Sequence, residues 1–127
     1  MREVFISSSA ETAAVALKLA NDLEIERFQT FLPIRDIPVG DADADRWSLH
    51  QQKVSQADAF LVLVKSNPRR TPCLEREWFA ILNEASDFKK KYKKLIPLLV
   101  GPGESPNFLK NWQALRVPKV SDSKRWD

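Results

Sequence analysis

The sequence is short of the residues that build disulfides, metal sites and Gly-rich nucleotide loops. It holds one cysteine (Cys73), one histidine (His50) and three glycines (Gly40, Gly101, Gly103) among 127 residues. A lone cysteine forms no internal disulfide, and a reducing, cytoplasmic setting is the natural expectation. One Cys and one His fall short of a zinc ligand set, so no metal is expected. The glycines are too few and too scattered for a P-loop or a dinucleotide fingerprint. No apolar run approaches the roughly 18 residues of a membrane span. The N-terminus lacks the basic-then-apolar pattern of a signal peptide. A phosphoacceptor receiver needs acids after its first strand, and Ser7-Ser8-Ser9 stand there instead.

What is present is charge, unevenly spread. The formal net charge is +3. Residues 1–60 hold 6 Lys/Arg against 10 Asp/Glu, and residues 61–127 hold 14 against 7. Such a split favours head-to-tail self-association. The basic run Lys89-Lys90-Lys91-Tyr92-Lys93-Lys94 follows a helical stretch, where lysines suit the negative helix end. It carries no nucleic-acid recognition motif, so a nucleic-acid partner is not expected.

Hydrophobic periodicity predicts alternating strands and helices. Strands are expected at 4–7, 27–31, 59–64, 95–100 and 114–117. Ala59 to Val64 is apolar on both faces, as in the middle of a parallel sheet. Helices are expected from Glu11 to about Leu23, from Asp45 to about Gln56 and from Pro72 onward. Thr71 is placed to cap the last of these, with Pro72 at its first position. Leu74, Trp78, Ile81, Leu82 and Ala85 form its buried stripe. Leu32 to Ala44, with two prolines, a glycine and three aspartates, reads as a loop. A helical turn is expected at 108–111. The simplest fold is one α/β domain over 1–120, flavodoxin-like, with a doubly wound parallel sheet of order 2-1-3-4-5. Residues 121–127 are expected to be a frayed tail.

Four segments in this order resemble a TIR (Toll/interleukin-1 receptor-like) domain. They are the strand Val4-Phe5-Ile6-Ser7-Ser8-Ser9, the loop Ile34-Arg35-Asp36-Ile37-Pro38-Val39-Gly40, the run Ala59–Val64, and the helix start Thr71-Pro72-Cys73-Leu74-Glu75-Arg76-Glu77-Trp78. The resemblance covers about residues 3–100, with weaker agreement to Val117. It implies a bacterial-type NAD⁺ glycohydrolase acting as a defence or cell-death effector, activated by homotypic TIR self-association. NAD⁺ would be substrate, with no cofactor, and a sensor domain outside this chain would be a partner. Catalytic members carry an acid on this helix, usually four residues after a Trp. Glu77 fits the acid, whereas Cys73 stands where the Trp is expected. That Trp helps form the family's nucleotide pocket. The rival reading is a non-catalytic adaptor that works through TIR–TIR assembly.

The chemistry needs little equipment. Nicotinamide leaves NAD⁺ as a neutral pyridine, so the positive, oxocarbenium-like ribose is what must be stabilised. One carboxylate can do this and hold the ribose hydroxyls. Glu77 is assigned that role. Ser7, Ser8, Ser9, Arg35, Gly40 and Cys73 are the expected substrate-binding positions, with Ser9 alternatively a helix cap. The Arg35–Gly40 stretch resembles the family's BB loop, which gates the pocket and contacts a neighbouring subunit. His50 reads as a structural residue of the second long helix.

Overall fold

A computed structural model describes residues 2–37, 43–87 and 93–117. Five strands form one parallel sheet: β1 (Glu3–Ser7), β2 (Gln29–Phe31), β3 (Ala59–Val64), β4 (Lys94–Val100) and β5 (Leu115–Val117). Their spatial order is β2-β1-β3-β4-β5, the doubly wound order expected. β1 lies between β2 and β3, with Phe5 opposite both Phe31 and Phe60. The direction of winding changes at β1/β3, and the carboxyl edge there opens a crevice.

Strand alternation divides the core into two layers. Val4, Ile6 and Leu63 face α1 (Ala13–Ile25), where Val15, Ala16, Leu19 and Ala20 are buried. Phe5, Phe60, Val62 and Val64 face the other way. They meet Val54 of α3 (Asp43–Gln56) and Leu74, Trp78 and Ile81 of α4 (Pro72–Ser86). Trp78 is the largest side chain of α4 in this layer, stacked on Phe108 at 4.6 Å. Its truncation to Ala would cost about 3–5 kcal/mol.

Local chemistry sets where the helices start and stop. A 3₁₀ turn (Ala10–Thr12) precedes α1, and Ser9 caps it by accepting from the Glu11 amide. α1 ends in a Schellman arrangement: the Phe28 amide donates to the Leu23 carbonyl and the Arg27 amide to that of Glu24. Arg27 there has φ +70°, in the left-handed region that glycine favours. Thr71 caps α4 through the Leu74 amide, as expected, at 3.2 Å. Lys93, late in the basic run, closes the end of α3 by donating to the Val54 and Ser55 carbonyls, and it pairs with Glu84 at 2.8 Å.

The structure corrects the expected loop at 32–44. Pro33–Asp36 forms a helical turn, α2, and α3 already begins at Asp43. The Asp36 carboxylate reaches back to accept from the Leu32 amide at 2.9 Å, which stabilises the turn despite its polar residues. Leu32 itself is fully buried in the α1 layer. Strand β4 carries Pro97, opposite Val62 of β3. Pairing with β5 starts only at Leu98, so Pro97 has a neighbouring strand on one side alone, where a missing N–H is tolerated.

After β4, Gly101 and Gly103 both take positive φ. A Cβ on Gly103 would meet Ser66 at 2.5 Å, so the loops after β3 and β4 can approach only through glycine. No helix among the described residues is long and apolar enough to cross a membrane. Pro38, Gly40 and the tail 121–127 lie outside the described residues.

Candidate active site

The crevice at the β1/β3 switch is a cleft of about 320 Å³. Three stretches of the chain build its walls. Ser8, Ser9 and Glu11 come from the end of β1 and the 3₁₀ turn. Pro33, Ile34, Arg46 and His50 come from α2 and α3, and Arg69, Thr71, Cys73, Leu74 and Glu77 from α4 and the segment before it. The Glu11 carboxylate accepts from the Arg69 amide at 2.9 Å, tying the loop after β3 to the turn after β1.

Glu77 lies at the centre of this arrangement. It is only 4% exposed, yet it lines the cleft. Burying a carboxylate without partners is costly, and here both oxygens have donors or a shared proton. Ser7 Oγ, at the end of β1, donates to Oε2. His50 Nε2 lies 2.7 Å from Oε1. The second ring nitrogen of His50, Nδ1, lies 3.2 Å from the Arg46 carbonyl oxygen, one turn back on α3. Trp47 stacks on the imidazole at 5.5 Å, and the Arg76 guanidinium covers Trp47 at 4.0 Å. Glu75, two residues from Glu77, is exposed and pairs loosely with Arg70 at 3.7 Å.

The expected site residues fall into four groups. Ser8, Ser9, Cys73 and Glu77 line one cleft. Ser7 lies beneath it, fully buried, bonded to Glu77. The serines also serve the fold: Ser8 Oγ is 2.7 Å from Thr12 Oγ1, and Ser9 is a cap. Gly40 is outside the described residues. Arg35 is not among the residues lining the cleft. Its guanidinium is held by Glu24 at 3.1 Å and Asp36 at 2.7 Å. The hydrogen bond to Asp36, helped by Glu24, raises the Arg35 guanidinium above its ordinary pKa despite desolvation. Burial pushes the Asp36 carboxyl up, but Arg35 and the Leu32 amide outweigh it and hold Asp36 below the usual carboxylate range.

His50, Arg46 and Arg69 line the cleft without having been assigned to the site from the sequence. His50, expected as a structural residue of the second long helix, is buried with its Nε2 2.7 Å from Glu77 Oε1. Its signal was its position on the stripe Trp47, His50, Val54, where an apolar residue is the ordinary occupant. Arg46 and Arg69 bring two cations to the cleft, and among the described residues neither guanidinium makes an ion pair. Among the described residues no group of His, Cys, Asp and Glu is arranged to hold a metal ion.

The chain belongs to the TIR domain family, whose model matches residues 4–126. No curated protein sequence matches it. Among solved structures, the fold is similar to the CMP N-glycosidase BcmB of Clostridium botulinum. The TM-score is 0.68 at 14% identity, over 98% of this chain and 96% of that one. It is also similar to the metal-soaked Flv1 flavodiiron core of Synechocystis sp. PCC6803, with a TM-score of 0.51 at 12% identity. That match takes in 91% of this chain but 29% of the other. At these identities the likeness is one of fold.

Proposed function

We propose that the domain hydrolyses the N-glycosidic bond of a nucleotide, with NAD⁺ as substrate and Glu77 as the group that stabilises the ribosyl cation. The observation that carries this reading is a buried carboxylate opening into a cleft at the switch point of the sheet. Water is largely excluded around Glu77, so its charge acts at low local dielectric on the positive sugar. Ser7 and His50 fix the carboxylate's orientation before substrate arrives. Arg46 and Arg69 supply the positive charge that a diphosphate or monophosphate needs. Cys73 at the mouth leaves room where the family's Trp would stand.

Self-association through the TIR surface is part of this proposal, with NAD⁺ depletion as the route to a defence or cell-death effect. A second reading, hydrolysis of a nucleoside monophosphate such as CMP, is favoured by one observation. His50 beside Glu77 is equipment that a neutral pyridine leaving group does not need. The likeness in fold to a CMP N-glycosidase supports it. The test is incubation of concentrated protein with NAD⁺ and, separately, with CMP, followed by chromatographic separation of free base from sugar phosphate. Release of nicotinamide or cytosine supports the glycosidase. Absence of both, even with the domain artificially clustered, leaves the adaptor.

A further inference from the structure

Resting on the glycosidase reading, we propose that His50 is the proton donor to the departing base, so that the site serves nucleotides whose base must be protonated to leave. The argument starts from the two hydrogen bonds of one ring. The Arg46 carbonyl, 3.2 Å from Nδ1, has no proton to give, so a hydrogen bond on that side requires Nδ1–H. On the other side, Nε2 faces Glu77 Oε1 at 2.7 Å. Either Nε2–H donates to a carboxylate, or a carboxyl O–H donates to a bare nitrogen. In both cases the pair holds one proton more than a neutral imidazole and an ionised carboxylate hold separately. With Ser7 Oγ donating to the other carboxylate oxygen, the proposed arrangement has the shared proton on His50 Nε2.

The surroundings enclose the ring beside the cleft. His50 is buried, with Trp47 stacked on one face and Phe5 tilted against it at 6.3 Å. The charged residues that share the cleft with it are Glu11, Arg46, Arg69 and Glu77, and Arg76 lies across Trp47. His50 also lines the cleft.

The step balances without any co-reactant but water. The C1′–N bond of a pyrimidine nucleotide breaks and its electron pair goes to the base. The base takes the proton of His50 Nε2. Glu77 stays a carboxylate facing the C1′ cation. Water adds to C1′ and returns one proton to Nε2, leaving free base and sugar phosphate. NAD⁺ needs no such proton, because nicotinamide leaves neutral.

The chain's single histidine makes the experiment assignable. In ¹⁵N NMR of the wild-type chain at pH 7, His50 should show both ring nitrogens protonated, and Glu77→Gln should convert it to a neutral ring. A neutral wild-type imidazole overturns the proposal, whatever the turnover. Kinetically, His50→Gln should lower CMP turnover about a hundredfold more than NAD⁺ turnover, the ordinary contribution of a general acid. Equal losses on both substrates overturn the role. Wild-type cleavage of NAD⁺ without any of CMP overturns this proposal alone, whereas cleavage of neither overturns the glycosidase reading beneath it.

Discussion

His50 and Glu77 are 27 positions apart in sequence, and their side chains meet at 2.7 Å. They come from α3 and α4, which cover the same face of the sheet. Ser7, 70 positions from Glu77, completes the contact from the end of β1. The site is thus assembled by the crossovers of a doubly wound sheet rather than by any local motif.

Ser7→Ala tests the support beneath the carboxylate. The substitution leaves Glu77 Oε2 buried without its donor, at a cost of about 1–3 kcal/mol. Turnover should fall about tenfold, corresponding to about 1.4 kcal/mol of transition-state stabilisation. Denaturation and base release measured on the same preparation check both effects. Full turnover in a destabilised variant would show that Ser7 serves only the fold.

Arg27→Gly should stabilise the protein. Arg27 holds φ +70° at the end of α1, a conformation that costs a non-glycine residue about 1–2 kcal/mol. Glycine loses about 0.5–1 kcal/mol of that gain through its freer unfolded chain. The net change should be up to about 1 kcal/mol, or a few degrees in Tm. An exposed arginine gives up little in exchange. A lower Tm would mean that the side chain has a role beyond the turn.

Asp36 predicts a pH dependence of stability. Its carboxyl is held below the usual range in the folded state by Arg35 and the Leu32 amide, which outweigh burial. The resulting stability is present above the unfolded Asp value of about 3.9 and is lost as pH falls through the lower folded value. Asp36→Asn should therefore be less stable than wild type at pH 7, by about 0.5–1 kcal/mol for a partly exposed pair. The gap should narrow as pH drops below about 4. Thermal melts across that range check it, and a gap independent of pH would contradict it.

Much of the scaffold was legible because apolar patterning and capping act locally. β3 falls at Ala59–Val64 as expected from its unbroken apolar run, and α4 starts at the Thr71-Pro72 signal. The short helix Pro33–Asp36 was not legible as such. Its stabilising contact runs from the Asp36 side chain back to a backbone amide, and loop-forming residue types masked it. Glu77 stood out through its place in a family-like segment. His50 did not, because a lone histidine on a helix acquires meaning only when the fold brings α4 alongside it. Arg35 illustrates the opposite case: a cation near the expected pocket whose guanidinium is already held by Glu24 and Asp36.

Glu77→Gln tests the central claim most directly. Gln keeps the shape, accepts from Ser7 and donates to a neutral His50, so stability should change by no more than about 1 kcal/mol. The charge that meets the ribosyl cation is gone. Base release from NAD⁺ or CMP should fall at least about a hundredfold, the scale of one lost electrostatic stabiliser. Glu75→Gln, on an exposed position turned about 200° around the helix, is the matched control and should keep wild-type turnover. The measurement is base release by wild type and both variants at equal concentration. Loss confined to Glu77→Gln is the predicted result, and equal turnover in the two variants would contradict the account.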